Sequence, residues 1–139
     1  MGSLTLLLGG ARTGKSRHAQ QWASQRSGKV LFVATAQAFD DEMRDRIRRH
    51  QQERPAPWTT LEAPLQVAPA VAEAFAATTF DTVVLDCLTL LASNVLLAQP
   101  EEATVHEITS ALLDEVDQLL AIVHTHPAEW LVVTNEVGM

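Results

Sequence analysis

The chain has 139 residues, 47% of them apolar, and a formal charge of −7 at pH 7; it is long enough for one domain with its own core and has the wrong sign for a nucleic-acid binder, which shows a basic face. The lone Cys87 excludes an intrachain disulfide and fits a reducing compartment. No apolar run approaches the ~18 residues of a membrane-spanning helix and no leader pattern opens the chain, so a cytoplasmic protein without a membrane span is expected.

Residues 4–8, all but one leucine, read as a buried strand. The next eight, Gly9, Gly10, Ala11, Arg12, Thr13, Gly14, Lys15 and Ser16, form a complete P-loop. Such a loop turns its backbone N–H groups inward around a β-phosphate, and glycine permits both the turn and the close approach. Lys15 reaches the β and γ oxygens, the Ser16 hydroxyl coordinates Mg²⁺, and the helix that starts there adds its positive N-terminal end. A glycine-rich turn with an incidental lysine would look similar, but the only other lysine in the chain is Lys29.

A helix is expected from 15 to about 26, closed by a turn at Ser27-Gly28, and a second strand at 30–34, which Thr35-Ala36-Gln37 leaves at its C-terminal end. Asp40 or Asp41 caps a helix that runs to the break at Arg54-Pro55-Ala56-Pro57. Residues 58–62 read as a short extended segment. An alanine-rich helix follows, with Pro69 in its first turn and Val71 and Phe75 on its buried stripe. Residues 82–86 form a buried strand ending in Asp86, and 88–98 a helix. After a loop at 99–102, residues 104–124 form a long amphipathic helix with Val105, Ile108, Leu112, Val116, Leu119 and Val123 inward, before a last strand at 130–134.

Strands alternating with helices predict right-handed crossovers and one α/β domain over 1–139, a three-layer P-loop NTPase-like fold with a mainly parallel sheet. Ligands of such sheets bind beyond the carboxyl ends of the strands. That rule brings the P-loop, Thr35-Ala36-Gln37, Asp86 and Asn135-Glu136 to one rim, with Asp86 placed as a Walker B carboxylate for Mg²⁺. On the helix after Asp41, Met43, Ile47, His50 and Arg54 share a side. Arg44, Arg46, Arg48, Arg49 and Arg54 crowd the same stretch, where Glu42 with Arg46 and Asp45 with Arg49 are expected as i,i+4 pairs. Taken alone, a histidine there is more often structural than reactive.

The P-loop with Arg17-His18-Ala19, Val33-Ala34-Thr35-Ala36-Gln37, Asp40-Asp41-Glu42-Met43, Arg46-Ile47, His50, Arg54-Pro55, Trp58, Glu62 and Thr134-Asn135-Glu136-Val137-Gly138 together resemble the bifunctional adenosylcobinamide kinase/adenosylcobinamide-phosphate guanylyltransferase family. The resemblance implies that a nucleoside triphosphate, ATP or GTP, phosphorylates adenosylcobinamide, and that GTP then donates GMP through a guanylylated His50. It also implies nucleotide contacts from the P-loop, Thr35, Ala36, Gln37, Gln51, Gln52, Glu53, Arg54, Glu62 and Asp86, with Lys15 catalytic and Ser16 and Asp86 on Mg²⁺. A homotrimer with sites near subunit boundaries is implied as well.

Two features depart from the family's pattern. Asp86 stands where glutamate is frequent, one methylene shorter, and family members continue past the position of Met139 with further strands and a basic helix, so the chain is expected to lack a C-terminal part. Two other readings of the residues compete. One is a small-metabolite P-loop kinase that never forms a covalent nucleotide. The other is a GTP-dependent switch or binding module, against which Asn135-Glu136-Val137-Gly138 lacks the lysine and aspartate of an Asn-Lys-x-Asp guanine reader.

Overall fold

Apolar runs rich in valine make the middle of the sheet. The computed structural model describes residues 2–9, 15–26, 28–36, 41–53 and 58–135. In chain order the elements are β1 (Ser3–Gly9), α1 (Lys15–Ser24), β2 (Val30–Ala34), α2 (Asp41–Glu53), β3 (Thr59–Glu62), α3 (Val67–Ala77), β4 (Thr82–Asp86), α4 (Leu88–Ala98), α5 (Val105–Thr125) and β5 (Glu129–Asn135). The strands form one sheet in the order β1-β5-β4-β2-β3, and every pairing is parallel.

Helices cover both faces of this sheet, because the right-handed crossovers from β1 to β2 and β2 to β3 run one way across it and those from β3 to β4 and β4 to β5 run back. On one face Ala19 and Ala23 of α1 meet Phe32, Val84 and Leu131, small residues letting the helix lie close to the strands. On the other, Val67 and Val71 of α3, Leu91 of α4 and Leu119 of α5 close over Leu31, Val33, Val83, Leu85, Trp130 and Val132. Each such side chain contributes about 1.5–3 kcal/mol on burial, so the rows on β2, β4 and β5 carry most of the hydrophobic stabilisation.

The short segment before Glu62 is a true strand, in register with β2 from Leu31↔Thr59 to Ala34↔Glu62. The turn expected at Ser27-Gly28 is visible at Gly28, whose φ of 104° suits glycine. A Cβ there would also lie 2.2 Å from the Asp81 carboxylate, which accepts a bond from the Lys29 N–H at 2.8 Å.

Three expectations need correction. The leucine strand is not buried: β1 is an edge strand, and Leu4, Leu6 and Leu8 are 42%, 55% and 62% exposed. Only Leu7, pointing to the other face, packs beside α1. Secondly, the inward stripe of α5 does not include Val105, which is exposed, or Val116; Leu119, Ile122 and Val123 make the contacts with the core. Thirdly, Asp45 of α2 pairs with Arg48 at 3.8 Å, i,i+3, in place of the expected Arg49, and Asp41 pairs with Arg44 at 3.7 Å with the same spacing; the expected pair of Glu42 with Arg46 involves a side chain outside the described residues. These exposed pairs are worth about 0–1 kcal/mol each.

Candidate functional site

Because all strands are parallel, their carboxyl ends form a single rim. Ala34 at the end of β2 sits in register with Asp86 of β4 on one side and Glu62 of β3 on the other. With strands about 4.8 Å apart, the two carboxylate-bearing backbones flank Ala34 at roughly 10 Å from each other. Side chains alternate along a strand, and Leu85 and Leu61 pack on the face opposite α1. Asp86 and Glu62 therefore stand on the face that α1 covers.

On that face β1 ends at Gly9, in register with Asn135, and α1 begins at Lys15. This is the strand–loop–helix context a P-loop requires. The N-terminal end of α1, with its unpaired N–H groups and partial positive charge, thus opens toward the rim that holds Asp86.

Thr35 locks the rim in shape. Its N–H donates to the Asp86 carbonyl at 3.1 Å, its hydroxyl donates to the Cys87 carbonyl at 2.7 Å, and the same hydroxyl accepts from the Cys87 N–H at 2.8 Å. The Asp86–Cys87 peptide is cis. Asn94 of α4 then donates through its side-chain amide to the carbonyls of Thr35 at 2.7 Å and Pro64 at 2.9 Å. Cys87 caps α4, its sulfur accepting from the Leu90 N–H at 3.4 Å. The Thr89 and Thr134 hydroxyls meet at 3.0 Å, joining α4 to β5. These bonds fix β2, β3, β4 and β5 relative to one another where Asp86 emerges.

Of the residues singled out from sequence, Thr35 is buried, Ala36 and Asp86 are half-buried, and Glu62 and Gln52 are exposed. Gly9 ends β1, and Lys15 and Ser16 open α1. His50, Gln51 and Glu53 lie on the α2 backbone. The side chains of Lys15, Ser16, His50, Gln51 and Glu53 lie outside the described residues, as do Gly10, Ala11, Arg12, Thr13, Gly14, Gln37, Arg54, Glu136, Val137 and Gly138. The described residues thus bring Thr35, Ala36, Glu62 and Asp86 to one rim, with Gly9 and the start of α1 at the end of the same sheet, and the side chain of His50 is not among them. Sequence reasoning passed over Asn94. Its signal was a single amide inside the apolar run Leu88–Ala98, which burial makes costly unless it is bonded.

Comparison with known proteins gives a family for the chain. The family described as Cobinamide kinase / cobinamide phosphate guanyltransferase matches residues 5–139. The chain is 38% identical over 141 residues to the bifunctional adenosylcobalamin biosynthesis protein CobU of Salmonella typhimurium, covering 98% of this chain and 76% of that protein. It is 41% identical over 135 residues to the corresponding protein CobP of Pseudomonas aeruginosa, covering 96% of this chain and 72% of CobP.

The chain belongs to this family. In this cobinamide kinase/guanyltransferase all five strands are parallel, and β1 and α1 flank the P-loop sequence on the face that carries Asp86. Among the described residues no helix is long and apolar enough to cross a membrane. No group of three or more His, Cys, Asp and Glu side chains among them could enclose a metal ion. Mg²⁺ needs no such cage, since with nucleotides it is held by one or two protein groups, phosphate oxygens and water.

Proposed function

We propose that the chain catalyses both reactions of its family at this rim. In the first, the γ-phosphoryl group of a nucleoside triphosphate passes to the hydroxyl of the aminopropanol arm of adenosylcobinamide, and the nucleoside diphosphate leaves. In the second, a nitrogen of His50 attacks the α-phosphorus of GTP and pyrophosphate leaves; the acceptor's phosphate oxygen then displaces the imidazole, giving adenosylcobinamide-GDP. Splitting the guanylyl transfer at a histidine replaces one difficult displacement by two easier ones. Imidazole suits the role because, with an ordinary pKa of ~6.5, it keeps a free lone pair near neutral pH.

The observation that carries this reading is the junction from Gly9 to Lys15 opening on the same sheet face as Asp86. Loop amides and Lys15 would hold the β- and γ-phosphates, and Ser16 and Asp86 would hold Mg²⁺, which when bound neutralises charge on the transferring phosphate. A hydroxyl at the start of α1 and a carboxylate at the end of β4 are hard oxygen donors and fit that ion. Thr35, Ala36, Gln37, Gln51, Gln52, Glu53, Arg54 and Glu62 would complete the nucleotide contacts, and the arginines of α2 would stabilise departing pyrophosphate.

The test is covalent labelling. Wild type incubated with GTP labelled at the α-phosphate should retain label through an acid-labile, alkali-stable bond. His50→Ala and His50→Asn should both lose the label and the guanylyltransferase activity while retaining much of the kinase activity. Lys15→Met should lose both activities together with tight triphosphate binding. Label persisting at His18 or His106 in His50→Ala, or equal loss of both activities, would remove His50 as nucleophile and leave a plain kinase.

A further inference from the structure

The start of α3, the end of α4 and the middle of α5 enclose an open groove of about 300 Å³. It lies one residue from the rim. Asn94, whose amide binds Thr35 and Pro64, is followed by Val95, and Pro64 is followed by Leu65 and Gln66; Val95, Leu65 and Gln66 all line the groove.

Among the described residues its polar lining consists of the amides of Gln66, Gln99 and Gln118 and the carboxylates of Asp114 and Glu115, with no basic residue. Phosphate would find no counter-charge there. Much of this polar capacity is open. Gln66 sits at the N-cap of α3 without a capping bond, and Glu115 accepts from the neighbouring Val67 N–H at 2.9 Å. Gln99 donates to the Val95 carbonyl at 3.0 Å, which leaves its own side-chain oxygen as an acceptor. Gln66, Asp114 and Gln118 make no side-chain hydrogen bond among the described residues. The site is therefore rich in acceptors, supplied with amide donors, and negatively charged, with apolar walls from Leu65, Val95 and Ala111.

A primary carboxamide, with a two-proton donor and one acceptor, matches such a lining. Cobinamide carries several of them around its corrin ring. We infer that this groove seats peripheral carboxamides of the corrinoid acceptor, holding the ring on the α4–α5 side of the rim while its aminopropanol arm reaches over Asn94 toward the phosphates. The inference rests on the activity proposed above and adds where, and by which groups, the acceptor is held.

Cobinamide affinity, read from the corrin absorption spectrum on titration, should fall about tenfold in Asp114→Ala and in Gln118→Leu, the loss expected when one or two hydrogen bonds are removed. GTP affinity should stay unchanged. Both residues are exposed, so the variants should melt with wild type. A corrin whose carboxamides have been hydrolysed to carboxylates should bind wild type more weakly than cobinamide does, and Asp114→Lys should reverse that preference. Wild-type cobinamide affinity in all three variants, with the preference unreversed, overturns the groove assignment and leaves the proposed activity standing. Wild type that binds GTP but neither binds nor phosphorylates cobinamide overturns the activity, and the groove assignment falls with it.

Discussion

Thr35 spends every polar atom on the protein itself. Its N–H, hydroxyl and carbonyl are taken by Asp86, Cys87 and Asn94, and the side chain is fully buried. The resemblance implies a nucleotide contact at this position; what the hydroxyl does in the structure is hold the backbone from which Asp86 projects. Thr35→Val keeps the shape but takes away the acceptor of the buried Cys87 N–H and one of the two donors to the Cys87 carbonyl, which still accepts from the Leu91 N–H at 3.2 Å, at a cost of about 1–3 kcal/mol. Thr35→Ser keeps the bonds and should cost about 1 kcal/mol, the loss of one buried methyl. Urea unfolding of the three proteins measures this, and a valine variant as stable as wild type would show the clamp to be idle. A threonine just past a strand reads as a solvent-facing loop residue, and nothing local reveals that a carbonyl 52 positions later accepts from it. By contrast, the phosphate loop was legible because glycine, lysine and serine at fixed spacing are demanded by local backbone chemistry.

Among the elements, α5 shows what periodicity can and cannot tell. Its 21 residues extend about 30 Å at 1.5 Å per residue, whereas the five-residue strand β4 extends only about 17 Å. The helix therefore overruns the sheet. Its C-terminal half presses Leu119, Ile122 and Val123 on the core, and its N-terminal half carries exposed Val105 and Leu113. The repeat of apolar residues correctly marks a helix; it cannot say how far the partner surface extends, which is why Val105 and Val116 were expected inside. The overhanging end depends on local bonds instead. Thr104 and Glu107 form a capping box, with the Glu107 N–H donating to the Thr104 hydroxyl at 3.1 Å and the Thr104 N–H to the Glu107 carboxylate at 3.3 Å. Thr104→Ala should cost about 1 kcal/mol. Hydrogen exchange should quicken at the amides of 105–109 and stay unchanged at 119–125. Uniform quickening along the helix would mean instead that α5 opens as one unit with the core.

At the scale of the whole molecule, the strand order depends on long-range pairing and could not be read from the chain. Sequence order suggests that the last strand, β5, would lie at an edge, but β5 is inserted between β1 and β4 and the outer position falls to β1. Among the described residues that leaves the Leu4/Leu6/Leu8 face of β1, beside Trp130 and Val132, without a helix over it, and the outer backbone edge of β1 without a partner strand, an edge that invites another strand. We propose that in a form of the protein extended past residue 139 a later strand pairs parallel to β1. The step from β4 to β5 moves toward β1 with its helices on the Leu91/Leu119 face, so a further right-handed crossover in the same direction would lay its helix on that same face, over the three leucines. The Salmonella typhimurium relative has chain to spare for this, since the alignment covers 76% of it. Covering three leucines that are already about half shielded is worth on the order of 3 kcal/mol. A form of the protein carrying the residues that follow in the relatives should therefore melt about 5–10 °C higher than the 139-residue chain. Leu6→Lys separates burial from a mere effect of length. It should change the stability of the shorter chain by less than about 0.5 kcal/mol, as exposed substitutions do, and cost the longer form at least about 2 kcal/mol, as burying an unpaired charge does. Equal melting temperatures, or a lysine tolerated equally in both forms, would leave the β1 face open to solvent in the working enzyme.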